Sequence, residues 1–182
     1  MENGQTNPVV DAQVRILVVD DHPNTASMLA RVISRLGSHV EVVSATSGSE
    51  ALKQVELHKA EILITDMNMP EMTGLELIET LNKEPTTCPT VTFLMTAYDT
   101  SELSEKLKQL KVKEVITKPV NPERICEIIT QALEEMKQIK SVTAEPVIDQ
   151  ANPLEPVIEN KTEEQTKAVT VETEMENPVQ VK

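Results

Sequence analysis

The sequence predicts a doubly wound α/β domain on a five-stranded parallel sheet, and three observations predict it. Short runs of Val, Ile and Leu alternate five times with stretches of helical periodicity. The central runs are apolar throughout rather than alternating, as strands buried on both faces require. Four of the runs stop at residues suited to phosphate chemistry. RILVVDD ends in Asp20 and Asp21, EILITDM in Asp66, TVTFLMTA in Thr96, and EVITKP in Lys118.

The first strand falls at about 15–19, and the helix after it opens on Pro23, a residue suited to a first helical turn. Met28, Leu29, Val32, Ile33 and Leu36 are expected to give that helix one buried stripe, and Gly37 stops it. A second strand at 40–45 leads into Ser47-Gly48-Ser49-Glu50, the pattern of a capping box. The third strand, 61–65, is followed by the loop MNMPEMTG and a short helix carrying Leu75, Leu77, Ile78 and Leu81. Pro85 and Pro89 punctuate the way to a fourth strand at 91–95, and a charged helix is expected over 101–110. After a fifth strand at 113–117, Asn121-Pro122 starts a long helix that ends near 140. Ile125, Ile128, Ile129, Leu133 and Met136 lie on one side of it.

The flavodoxin-like strand order 2-1-3-4-5 sets the first and third strands side by side, and in such sheets the ligand crevice lies outside the carboxyl ends of the strands. Asp20, Asp21, Asp66, Thr96 and Lys118 are thereby expected in one crevice, although up to 98 residues separate them.

Composition narrows the function. The net charge of −13 and the lack of clustered Lys and Arg speak against nucleic acid as a partner. The opening MENGQTNPVVD does not read as a signal peptide or anchor, and no apolar stretch has the length of a membrane span. Cys88 and Cys126 lack metal-type spacing and read as thiols of a reducing cytoplasm. His22, His39 and His58 read as scattered, without the grouping a zinc site needs.

The chain divides into a flexible N-terminus over 1–13, a folded domain over 14–140, and an acidic tail over 141–182. The tail has nine acids against three bases and neither glycine nor aromatic residues, and it carries the related hexapeptides EPVIDQ and EPVIEN. Disorder is expected of it on composition; a docking array of Pro-Val-Ile motifs is the sharper alternative.

Two ionised carboxylates about 4 Å apart repel by roughly 4 kcal/mol at an effective dielectric near 20. Three in one crevice therefore hold a proton or bind a cation, and hard oxygen donors suit Mg²⁺. An Asp carboxylate can then attack a phosphoryl group, with an ammonium offsetting charge on the phosphoryl oxygens and a hydroxyl donating to one of them. Singly, an Asp at a strand end is a turn former and a Lys before Pro is a surface residue. Jointly, at the ends of successive strands, they have no simple structural reading.

VVDD, DMNMPEMTG, MTA and TKP, in this order and spacing, resemble the receiver domain of two-component response regulators over about residues 14–137. The resemblance implies that Asp66 accepts a phosphoryl group from a histidine kinase or phosphotransfer protein. It implies that Asp20, Asp21, Asp66 and the Asn68 backbone carbonyl hold Mg²⁺, and that Thr96 and Lys118 contact the phosphoryl oxygens. It further implies a cis Lys118–Pro119 bond and a loop glycine at Gly74. One departure is Val115, where receivers usually carry Tyr or Phe; a β-branched side chain has little rotamer freedom with which to report on the threonine. Tyr98, two residues after Thr96, is the candidate to shield the acyl phosphate instead.

The expected function is a stand-alone, cytoplasmic phosphorylation switch whose output is protein contact, with the tail a candidate surface for a downstream partner. The alternative is a phosphorelay intermediate that passes the group on to another histidine. An aspartate-nucleophile phosphatase of the haloacid-dehalogenase type needs a second acid two residues after the first, where Asn68 stands, so no turnover enzyme is expected. The sequence has neither the P-loop pattern nor G-x-G-x-x-G.

Overall fold

The computed structural model describes residues 13–142. The expectations for the N-terminus and the acidic tail lie outside the described residues, apart from Gln13 and the final residues of the last helix. Five strands, β1 (Val14–Val19), β2 (Val40–Ala45), β3 (Ile62–Asp66), β4 (Val91–Thr96) and β5 (Val112–Thr117), form one parallel sheet ordered β2-β1-β3-β4-β5. Between and after them run α1 (Pro23–Ile33), α2 (Gly48–Leu57), α3 (Gly74–Leu81), α4 (Ser104–Gln109) and α5 (Pro122–Val142). Among the described residues no helix is long and apolar enough to cross a membrane.

The period-2 geometry of a strand divides the core into two layers. Ile16, Val18, Ile62, Ile64, Phe93 and Met95 pack on one side of the sheet with Leu29 and Ile33 of α1 and Ile125, Ile129 and Leu133 of α5. Leu17, Val19, Leu63 and Leu94 pack on the other, against Ala51 and Val55 of α2, Leu77 and Ile78 of α3, and Leu107 of α4. Every residue of β1 and β3 is buried, which is why those runs carry no polar alternation. The edge strands β2 and β5 are only partly covered, and their sequences are correspondingly mixed.

Three local expectations need correction. Met28 is exposed, and the buried stripe of α1 runs through Ala26, Leu29 and Ile33 instead. The small Ala26 takes a buried position in its stead. At the start of α2, Ser47 accepts from the Glu50 N–H as a cap should, but the Glu50 carboxylate returns to the N–H and hydroxyl of Thr46 rather than to Ser47. The complete reciprocal box stands at α3, between Thr73 and Glu76. The expected helix over 101–110 is in fact a 3-10 turn, Ser101–Leu103, followed by the short α4. Asp99 starts that turn by accepting from the N–H and hydroxyl of Ser101.

Gly74 sets α3 tightly against the end of β3. A Cβ there would meet the Asp66 carbonyl oxygen at 2.2 Å, while the Gly74 N–H donates to the Met67 carbonyl at 2.9 Å. Close backbone approach is the reason for glycine at this position.

Candidate functional site

The carboxyl ends of β1, β3, β4 and β5 bring five side chains to one end of the sheet. Asp20 follows β1 and is fully buried, Asp66 closes β3 and is buried, and Thr96 closes β4 and is buried. Lys118 follows β5 and extends its ammonium to both acids, 2.9 Å from Asp20 Oδ2 and 2.9 Å from Asp66 Oδ2. Its backbone N–H donates to the Thr96 carbonyl at 2.7 Å, continuing the β4–β5 ladder by one step, and the Lys118–Pro119 bond is cis. Burial pulls the Lys118 ammonium down, but hydrogen bonds to Asp20 and Asp66 outweigh it and hold its pKa above the ordinary lysine range.

The two oxygens of Asp20 face different neighbours. Oδ2 faces Lys118, while Oδ1 accepts from the His22 backbone N–H at 2.9 Å. Asp21 is partly exposed and lies on this second side, its Oδ1 2.9 Å from His22 Nδ1. His22 stands beside the acid pair, while His39 and His58 belong to no such group among the described residues. Asp20, Asp21 and His22 offer three ligand atoms that all lie within 4.8 Å of one another. Asp66 stands apart from this compact group, turned to Lys118, and Asn68 is exposed two residues further along the loop.

The Thr96 hydroxyl accepts from the Tyr98 N–H at 3.0 Å. An accepting hydroxyl still has its own proton to donate. The Tyr98 ring, the candidate to shield the site, is 68% exposed. Val115 is half-buried, opposite Leu94 in the β4–β5 register, and packs into the layer beneath α3 and α4.

Three carboxylates against one ammonium leave the crevice with an excess of negative charge. Their hard oxygens, with Asp21 open to solvent, are a donor set that fits a divalent cation keeping several waters. Chemically the arrangement offers a nucleophilic carboxylate, a fixed ammonium beside it and a hydroxyl donor on the neighbouring strand.

Comparison with known proteins agrees with this geometry. A family model described as the response regulator receiver domain matches residues 16–130. The chain is 33% identical over 120 residues to an uncharacterized 14.6 kDa protein of Leptolyngbya boryana, covering 66% of this chain and 90% of that one. It is 39% identical over 77 residues to the sensor protein EvgS of Escherichia coli K12, covering 42% of this chain but only 6% of that much longer one. Among solved structures, a CheY-like response regulator receiver domain protein from Methanospirillum hungatei JF-1 matches with a TM-score of 0.62 at 28% identity. That match covers 70% of this chain and 98% of the other.

Proposed function

The chain belongs to the response regulator receiver family, and on that premise we propose that Asp66 is its phosphoacceptor. Domains of this family are phosphorylation-based switches of two-component signalling, not turnover enzymes, and they meet sensor kinases or phosphotransfer proteins. The observation that carries the assignment is the Lys118 ammonium held between two buried carboxylates, Asp20 and Asp66.

The donor is a phosphohistidine on a kinase or phosphotransfer protein. An Asp66 oxygen forms its bond to phosphorus as the nitrogen–phosphorus bond breaks, and the electron pair returns to the donor's imidazole. Lys118 offsets the charge on the phosphoryl oxygens, and the Thr96 hydroxyl donates its free proton to one of them. Asp20, Asp21, Asp66 and the Asn68 carbonyl would hold Mg²⁺. When bound, the ion neutralises charge shared by the carboxylates and the phosphoryl group.

Output is through protein contact in the cytoplasm, with residues 141–182 a candidate surface for the downstream partner. Val115 stands where receivers usually carry an aromatic, so this position of β5 has no large ring with which to report on Thr96. The test is transfer of label from a phosphorylated histidine phosphotransfer protein, which should reach the wild-type chain and not Asp66→Asn. Equal labelling of both would overturn the assignment. Efficient return of label to a second phosphotransfer protein would mark the chain as a relay intermediate.

A further inference from the structure

We propose that Thr65 is a positioning residue for the phosphoacceptor, its buried hydroxyl clamping the peptide unit that joins Asp66 to Met67. The inference rests on the reading of Asp66 as phosphoacceptor and deepens it. In β3, Thr65 follows Ile62, Leu63 and Ile64 and directly precedes Asp66. It is fully buried and stands in register with Val19 and Leu94, both in the apolar layer shared with α2, α3 and α4. Valine has the same shape and suits a strand equally well. A hydroxyl in such a layer is costly unless it is hydrogen-bonded. Here it donates to the Asp66 carbonyl at 3.1 Å.

That bond completes a grip on one rigid plane. The Met67 N–H, at the other end of the same peptide unit, donates to the Met95 carbonyl of β4 at 2.8 Å. Rotating the unit would break both bonds together. A Cβ on Gly74 would come within 2.2 Å of the Asp66 carbonyl oxygen, so the glycine leaves room at the atom that the hydroxyl engages. The Met67 carbonyl accepts from the Gly74 N–H at 2.9 Å, which holds the next peptide unit, leading to Asn68. The direction of the Asp66 Cβ is set by the backbone on both sides of its Cα. The ladder of β3 fixes one side and the clamped unit fixes the other, with the carboxylate 2.9 Å from Lys118. A displacement of about 1 Å at a reacting group can cost roughly a hundredfold in rate, which gives this bond kinetic weight.

The rate at which the full-length chain is phosphorylated by acetyl phosphate in saturating Mg²⁺, followed by intact mass, tests this. Thr65→Val keeps the shape and loses the hydroxyl, and it should be labelled about fivefold or more slower than wild type. Thr65→Ser keeps the hydroxyl and should stay within about twofold of wild type. Thr92→Val removes the hydroxyl of another buried threonine, at the opposite end of β4 from Thr96, and should leave the rate unchanged. Thr65→Ala takes the place of the valine variant in the comparison with serine if the valine chain fails to fold. A valine rate equal to wild type would overturn the proposal and leave Asp66 as phosphoacceptor. Serine, or Thr92→Val, slowed as much as valine would do the same. Absence of any phosphoryl group on the wild type would overturn both.

Discussion

The Lys118 ammonium lies 2.9 Å from the Asp66 carboxylate and, from the same position, 2.9 Å from Asp20. Two buried acids from adjacent strands thus share one cation. Replacing it by Lys118→Met leaves both carboxylates in the crevice without that charge. The variant should lose about 2–4 kcal/mol of stability, somewhat below the roughly 3–5 kcal/mol for removing one partner of a fully buried ion pair because the ammonium is partly exposed. Urea unfolding with and without Mg²⁺ measures this, and added Mg²⁺ should recover part of the loss. A midpoint equal to wild type would mean that Lys118 is not offsetting those charges.

Gly74→Ala addresses the backbone that carries Asp66. Its Cβ would sit 2.2 Å from the Asp66 carbonyl oxygen, so the end of β3 or the start of α3 must shift. The expected cost is about 1–3 kcal/mol, with slower phosphorylation of Asp66. Unchanged stability and an unchanged phosphorylation rate would show that the contact is easily relaxed.

The start of α3 gives a pH dependence of known sign. Hydrogen bonds from the Thr73 backbone N–H, and then from its hydroxyl, hold the Glu76 carboxyl below its ordinary range. The stability it contributes is present in full above the pKa it has in the unfolded chain. It is lost as pH falls through the lower pKa it has in the folded protein. Glu76→Gln should therefore be less stable than wild type near neutrality, with the gap closing on acidification. A gap that stays constant or widens toward low pH contradicts this origin.

Tyr98→Ala separates ring from backbone. The Tyr98 N–H that anchors the Thr96 hydroxyl survives the substitution, and the ring is largely exposed. Stability should change by less than about 0.5 kcal/mol, and the lifetime of the acyl phosphate should stay at the wild-type value. A shortened lifetime would show that the ring closes over the site after phosphorylation.

The central sheet was readable from sequence because β1 and β3 are buried on both faces and leave an unbroken apolar signature. Alternation of strands and helices gave the parallel sheet, and the flavodoxin-like order assumed for it gathered Asp20, Asp66, Thr96 and Lys118 at the carboxyl ends of the strands. Side-chain direction was not readable. Nothing local tells that Lys118 reaches both acids, because that contact depends on the sheet closing over a separation of 98 residues. The inward position of Ala26 in place of Met28 was missed because hydropathy alone favours the larger residue. The Thr73–Glu76 box was present as a Thr-x-x-Glu pattern, but a second candidate at Ser47 drew the assignment. The contact of the His22 ring with Asp21 was not readable because ring direction depends on how the chain turns into α1.

The most direct test of the account is intact-mass and peptide mass spectrometry after incubation with Mg²⁺ and a small phosphoryl donor such as acetyl phosphate. The account predicts one added phosphoryl group, located on Asp66, released by hydroxylamine and absent from Asp66→Asn. An unaltered mass, or equal labelling of Asp66→Asn, would contradict it.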